Sequence, residues 1–231
     1  MDLSQPVITI DGPGGSGKGT LARRIAEYYG FHLLDSGALY RITALEASRL
    51  GVSPSDESAI VEVSKGLEIL FAVEGAEGVA VYLDGVDVTQ DIRTEECGSL
   101  ASQIAPLPGL RAALLDVQRD FQREPGLVAD GRDMGTVVFP SAAVKIFLTA
   151  SAEARAKRRH LQLKARGIES RIADLLLEIQ ARDERDQNRS VSPLIPAEDA
   201  NQLDSTTLSI EEVEARIVQI VANTLPTLAR V

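Results

Sequence analysis

Val7-Ile8-Thr9-Ile10-Asp11-Gly12-Pro13-Gly14-Gly15-Ser16-Gly17-Lys18-Gly19-Thr20 is the stretch that decides the fold. Val7 to Ile10 is a short apolar run closed by Asp11-Gly12, the pattern of a buried strand. After Gly17 the period changes: Leu21, Ile25 and Tyr28 repeat at helical spacing until Gly30 stops the helix. Between strand and helix, Gly12 and Gly17-Lys18 stand at the Walker spacing of a glycine, four residues, then Gly-Lys. Glycines let successive N–H groups turn inward, the helix N-terminus adds partial positive charge, and Lys18 brings a mobile full charge. Gly12, Pro13, Gly14, Gly15, Ser16, Gly17, Lys18, Gly19 and Thr20 are therefore the candidate polyphosphate-binding segment. The competing reading, a turn that only joins strand to helix, is disfavoured by the strand before the loop and the helix after it. One departure stands out. The residue after Lys18 is Gly19, so the usual hydroxyl ligand for magnesium is absent and Thr20 is the nearest hydroxyl.

Outward from this segment the chain alternates. His32 to Asp35 reads as a second strand, followed by Ser36-Gly37 and a helix through Ala44 and Leu50 capped at Gly51. Leu67 to Val73 and Val79 to Leu83 then read as strands with only a glycine-containing link between them, and Asp84-Gly85 before Val86-Asp87-Val88 is a hairpin signal. Residues from about 66 to about 93 are thus expected to form a small antiparallel insert in a core of 1–65 and 94–231. Alternation resumes with a helix carrying Leu110, Ala113, Leu114, Val117 and Phe121, then strands at Leu127 to Ala129 and Val144 to Leu148. Helices from about Glu153 and about Arg171, a short strand at Gln202 to Leu203 and a last helix complete the pattern, with Ser209 and Glu212 as a capping box. Such alternation implies an α/β fold with a mostly parallel sheet covered on both faces, here as one domain spanning 1–231.

The 231 residues carry a formal charge of −10, which argues against a protein that wraps nucleic acid; any anion site must be local. Cys97 is the only cysteine, the signature of a reducing compartment, and neither a signal peptide nor a membrane-spanning run is found. A cytoplasmic protein is expected. With no tryptophan, a base-stacking platform is also disfavoured.

Several groups could hold a second substrate. Ser36 lies just beyond the second strand and Asp130-Gly131-Arg132-Asp133 just beyond a later one, where open α/β sheets bind ligands. Arg182, Asp186 and Arg189 fall on one helix face, open to two readings: a solvated row of ion pairs, or an anion site. Arg155, Lys157, Arg158, Arg159, Lys164 and Arg166 form a basic run with no acid among them. That run is either a solubilising helix surface or, over about 155–170, a short helical lid whose cations close on a transferring phosphoryl group.

Taken together these motifs resemble the bacterial cytidylate kinases, within the nucleoside monophosphate kinases. The resemblance runs almost end to end: Ile8-Thr9-Ile10-Asp11-Gly12-Pro13, the Gly-Lys-Gly-Thr cradle, Leu34-Asp35-Ser36-Gly37 with Tyr40-Arg41, and Ala129-Asp130-Gly131-Arg132-Asp133-Met134-Gly135-Thr136. It continues through Arg182-Asp183, Arg185-Asp186 and Asn188-Arg189 to Leu203-Asp204-Ser205-Thr206-Thr207. The resemblance implies a P-loop NTPase fold, a central parallel sheet flanked by helices, and transfer of phosphate from ATP, with Mg²⁺, to CMP or dCMP. It also implies that Arg41, Arg132 and Tyr40 meet the acceptor phosphate, that Ser36, Arg182, Asp186 and Arg189 hold the acceptor's sugar and phosphate region, and that Ser102, Arg111 and Asp133 read the base. Lys18, Arg132, Arg155, Arg158 and Arg159 are then the expected catalytic cations, with Thr20 and Asp130 as metal candidates, the latter through water. A monomer acting on small molecules is expected.

Two rival classes follow from the residues. A nucleotide-dependent switch would show the Asn-Lys-x-Asp sequence if it used GTP, and none is present; it also leaves the acceptor-side arginines unexplained. A nucleic-acid binder using the Arg155 to Arg166 patch is opposed by the global charge.

Overall fold

In the computed structural model, which describes residues 5–74, 78–165 and 167–228, β1 (Val7–Asp11) is buried at every position. Continuous apolar character without alternation is what a parallel strand covered on both faces requires. It is followed by α1 (Lys18–Tyr29), β2 (His32–Asp35), α2 (Ser36–Arg49), α3 (Glu57–Lys65), β3 (Ile69–Glu74), β4 (Gly78–Leu83) and β5 (Val86–Asp87). Then come α4 (Glu95–Ile104), α5 (Pro108–Arg119), β6 (Leu127–Gly131), β7 (Val144–Thr149), α6 (Ala152–Ala165), α7 (Ile172–Gln187), β8 (Asn201–Asp204) and α8 (Ile210–Thr224). The chain folds as two compact units, Met1–Leu34 with Asp120–Val231, and Asp35–Arg119.

The first unit carries the parallel sheet, in the order β2-β6-β1-β7-β8. Asp11 lies in register with Gly131 of β6 on one side and Phe147 of β7 on the other, and Thr149 of β7 with Asp204 of β8. The loops that follow β1 and β6 therefore begin side by side. Ile8, Ile10, Val128, Ile146 and Leu148 pack with Leu21 and Ile25 of α1 and with Val213, Ile217 and Val221 of α8 in one core. The aromatic that continues the buried face of α1 is Tyr29, while the expected Tyr28 is partly buried beside it, because Ile25 repeats at four residues rather than three. The capping box of α8 forms as expected: Ser209 accepts from the Glu212 amide at 3.2 Å and Glu212 from the Ser209 amide at 2.8 Å. Arg166 of the basic run lies outside the described residues, as does the link at 75–77 in the other unit.

In that second unit, β3-β4-β5 form an antiparallel sheet. Asp84 and Gly85 both take positive φ, 50° and 79°, as the tight hairpin turn demands. α3 and α4 are helices the periodicity did not reveal; Asp56 caps the first and Thr94 the second through side-chain oxygens that accept from the third amide. The α5 face also differs: Leu110 and Leu114 are buried as expected, but Gln118 rather than Val117 completes the row. Gln118 is held there by Ser36, whose hydroxyl donates to its Oε1 at 2.7 Å. No helix among the described residues is long and apolar enough to cross a membrane.

Candidate active site

The phosphate loop runs from Gly12 to Gly17 at the carboxyl end of the central strand. At Gly12, φ is 153° and an added Cβ would lie 2.0 Å from the Leu148 carbonyl oxygen, so only glycine permits the strand to turn out there. Gly17, at φ 98°, is the N-cap of α1 and offers no capping side chain, and α1 has no acid in its first turn. α2, α3, α4 and α8 all carry a side-chain cap. A helix N-terminus without a capping side chain suits an external anion. Lys18 donates to the Pro13 carbonyl at 3.4 Å and lies 3.7 Å from Asp130 at the end of β6. The Ser16 hydroxyl is buried within the loop and has no hydrogen-bond partner among the described residues.

Asp11 joins the loops after β1 and β6. Its two carboxylate oxygens accept from the amides of Met134 and Gly135, each at 2.8 Å. Burial pushes its carboxyl up to about 7 against those amide bonds. The clasp holds the start of a π-helical turn, Met134–Val138, directly after the buried Asp133. Asp11 stands in the motif at the end of β1, but its partners lie 123 and 124 residues away, so no local pattern announces the pairing.

Arg132 donates through Nε to Asp186 Oδ2 at 2.9 Å, while Arg189 pairs with Asp186 Oδ1 from the other side. Asp186 is fully buried. Burial, which alone would raise its carboxyl, is outweighed by Arg132 and Arg189, and it is held below the usual carboxylate range. For Arg132, burial works against the charge, but Asp186, Asp130 and Asp11 together hold the guanidinium above its ordinary value. Arg132 and Arg182 also converge on the phosphate loop: a Cβ built on Gly14 would lie 3.4 Å from Arg182 Nη1 and 3.5 Å from Arg132 Nη2. The one-face row on α7 is therefore not a solvated ion-pair ladder. Its Arg182 lies against Gly14 of the glycine-rich loop, and its Asp186 is buried between Arg132 and Arg189.

The basic run on α6 divides. Arg155 is 4% exposed and makes a forked ion pair with Asp183, besides donating to the Gly14 and Ala150 carbonyls at 3.1 and 2.9 Å. Arg158 reaches the Ser16 carbonyl at 3.4 Å and Ser205 Oγ at 3.2 Å. The one hydroxyl hydrogen of Ser205 has two acceptors in reach, the Ser16 carbonyl at 3.1 Å and the Thr149 carbonyl at 3.0 Å. Ser205 belongs to a motif that carried no assigned role in the sequence, and it is a contact of the loop. Arg159 is half-buried, and Lys157 and Lys164 are exposed.

A magnesium ion is implied by the Walker-type loop. Magnesium keeps several waters and takes one or two carboxylates beside substrate phosphates. Asp130 provides such a carboxylate next to Lys18, and a Cβ at Gly19 would lie 3.1 Å from its Oδ2. The carboxylate thus stands against the position where the usual hydroxyl residue would project. Thr20 is exposed on the first turn of α1. The donor set fits a water-mediated site.

In the second unit, Ser36, Tyr40 and Arg41 lie on the first turns of α2. Arg111 stacks over the Tyr40 ring, 5.9 Å from its centroid, and donates to the Ala105 carbonyl at 3.2 Å. Arg41 donates to the Ile92 carbonyl at 3.4 Å, and Ser102 is buried on α4. The structure thus groups Ser36, Tyr40, Arg41, Ser102 and Arg111 in one unit, and Lys18, Asp130, Arg132, Asp133, Arg182, Asp186 and Arg189 in the other.

Residues 8–223 match the cytidylate kinase family model. A protein named cytidylate kinase from Stutzerimonas stutzeri (strain A1501) is 58% identical over 219 residues, covering 94% of this chain and 96% of that protein. One of the same name from Pseudomonas syringae pv. tomato is 58% identical, with 96% and 97% covered. Another from Vibrio parahaemolyticus serotype O3:K6 is 54% identical, with 97% and 99% covered.

Proposed function

The chain belongs to the cytidylate kinase family, and on that premise we propose that it transfers the γ-phosphoryl group of ATP to the 5′-phosphate of CMP or dCMP. The observation that carries this reading is the convergence of Arg132 and Arg182 on Gly14 of the phosphate loop, with Arg132 and Arg189 both anchored on buried Asp186. Guanidinium groups beside a polyphosphate cradle suit a second, anionic substrate.

An oxygen of the acceptor phosphate attacks the γ-phosphorus, the bond to the β–γ bridging oxygen breaks, and ADP leaves with that oxygen's electron pair. The acceptor is ionised near neutral pH, so the protein has no proton to remove; its work is positioning and charge neutralisation. Lys18 and the loop amides hold the donor phosphates. Arg132 and Arg182, with Arg158 and Arg159 nearby on α6, offset the charge of the moving group. Asp130, through water, with Thr20 beside it, would hold magnesium, which when bound would supply charge neutralisation to the donor phosphates. Arg41 and Arg132, with Tyr40 beside them, also take the acceptor's phosphate, and Ser36, Arg182, Asp186 and Arg189 its sugar and phosphate region.

Asp133, Arg111 and Ser102 read the base. Cytosine offers an amine that a carboxylate accepts from, and O2 and N3 acceptors to which an arginine donates. Uracil presents an oxygen and a protonated N3 at those places and leaves both groups unpaired, which discriminates strongly. A cytoplasmic monomer completes the proposal.

Coupled measurement of ADP release with CMP, dCMP, UMP and AMP tests it. Strong turnover of CMP and dCMP with little of UMP is expected; strong turnover of UMP with none of CMP overturns the cytosine assignment. Asp133→Ala is expected to lower CMP use far more than ATP binding, and equal losses for CMP and UMP remove its base-reading role.

A further inference from the structure

We infer that Arg155 and Asp183 form a positioning pair that locks helix α7 to the phosphate loop and touches neither substrate, an inference that rests on the phosphoryl-transfer reading above. A guanidinium has five N–H donors. Four are engaged by protein groups: Nε by the Ala150 carbonyl, Nη1 by the Gly14 carbonyl and Asp183 Oδ1, and Nη2 by Asp183 Oδ2. At 4% exposure, Arg155 is also enclosed, and its Cβ packs 3.5 Å from where a Gly15 Cβ would be. A cation bound in this way does not swing onto a transferring phosphate.

Its effect on the loop follows from peptide geometry. In a trans peptide the carbonyl and the next N–H point opposite ways. Holding the Gly14 carbonyl toward Arg155 therefore aims the Gly15 N–H away from α6. Ser205 and Arg158 hold the Ser16 carbonyl in the same manner and so aim the Gly17 N–H. The two α6 arginines, three residues apart on one helix face, brace the outside of the cradle.

Asp183 gives the pair its second function. It stands next to Arg182 and one helical turn before Asp186, on the helix whose Arg182 reaches Gly14. Gly14 is thus approached from two directions: Arg155 takes its carbonyl, and Arg182 and Arg132 lie against its Cα. Fixing Asp183 to the same arginine that fixes the Gly14 carbonyl sets the distance between the donor cradle and the arginines assigned to the acceptor side. In-line transfer depends on that distance, and a misplacement of about 1 Å costs about 100-fold in rate.

The test compares Arg155→Met, Asp183→Asn and the double variant with the wild type, measuring kcat and KM for ATP and CMP well below each melting midpoint. Wild-type turnover of CMP checks the phosphoryl-transfer reading by itself; were another monophosphate the acceptor, the variants are compared on that one. Each single variant is expected to lose about 10- to 100-fold in kcat with KM for both substrates within about threefold, and the double no more than the worse single. Asp183→Asn at wild-type kcat beside an impaired Arg155→Met, with a raised KM for ATP, makes Arg155 a direct phosphate ligand and overturns the inference. Additive losses overturn it too, as do lowered melting midpoints with unchanged kcat. Where Arg155→Met does not fold, Arg155→Lys, which keeps the charge and loses the fork, replaces it with the same expectations.

Discussion

Arg132 donates its Nε hydrogen to Asp186 Oδ2 at 2.9 Å, joining two residues 54 positions apart in the chain. With Arg189 on the other oxygen, one buried carboxylate serves two guanidinium groups. Replacing Asp186 with Asn leaves both charges in a low-dielectric site and is expected to cost about 3–5 kcal/mol in urea unfolding. Because the folded carboxyl is held below its ordinary value, the stabilisation is present above the unfolded pKa and is lost as pH falls through the folded one. The stability difference between wild type and Asp186→Asn should therefore shrink on acidification.

Asp11 titrates in the opposite sense. Its carboxyl is raised to about 7, so the folded state holds a proton that the unfolded chain has already released between about pH 4 and 7. Wild-type stability relative to Asp11→Asn is expected to fall as pH rises through that window, by at most about 1.4 kcal/mol per pH unit, and to level off above it. Denaturant unfolding of both proteins at pH 5, 6, 7 and 8 checks the slope; a rising difference contradicts it.

Gly12→Ala places a methyl group 2.0 Å from the Leu148 carbonyl oxygen, a rigid backbone atom. The expected cost is about 3 kcal/mol or more, with loss of ATP use. Gly51 also has positive φ, 69°, but an added Cβ there meets nothing within 4 Å. Gly51→Ala should lose only the conformational preference, about 1–2 kcal/mol, and retain activity. Parallel melting curves and ATP titrations separate the two causes.

Ser205→Ala removes one of the two donors that hold the Ser16 carbonyl. Loss of one neutral hydrogen bond is worth about 1 kcal/mol, so the KM for ATP is expected to rise about fivefold with little change for CMP. Steady-state kinetics with each substrate varied in turn measures this.

Much of this architecture is legible in the chain because its signals are local. The apolar run at Val7 to Ile10, the glycines after it, the Asp84-Gly85 turn and the Ser209–Glu212 box each act through neighbours within a few residues. α3 and α4 escaped because they are short, and Cys97-Gly98-Ser99 at the start of α4 are small residues that blur an apolar stripe. Their caps, Asp56 and Thr94, were the available signals. On α7 the spacing placed Arg182, Asp186 and Arg189 on one face, but only the fold brings Arg132 onto Asp186. Arg155 shows the limit most clearly: composition made it one cation in a basic run, and its burial against Gly14 and Asp183 depends on pairings 141 and 28 residues distant. The strand order likewise rests on non-local hydrogen bonds that no window of sequence contains.

The glycine-rich loop grows from β1, which has β6 on one side and β7 on the other. Amide exchange reads such placement directly, since edge strands open in small local fluctuations while an interior strand opens only when its neighbours do. β2 and β8 are the outer strands here and should exchange early; the amides of Ile8 and Ile10 should be among the last. The protein can therefore breathe at the borders of its sheet without disturbing the cradle, whose persistence is tied to that of the whole unit.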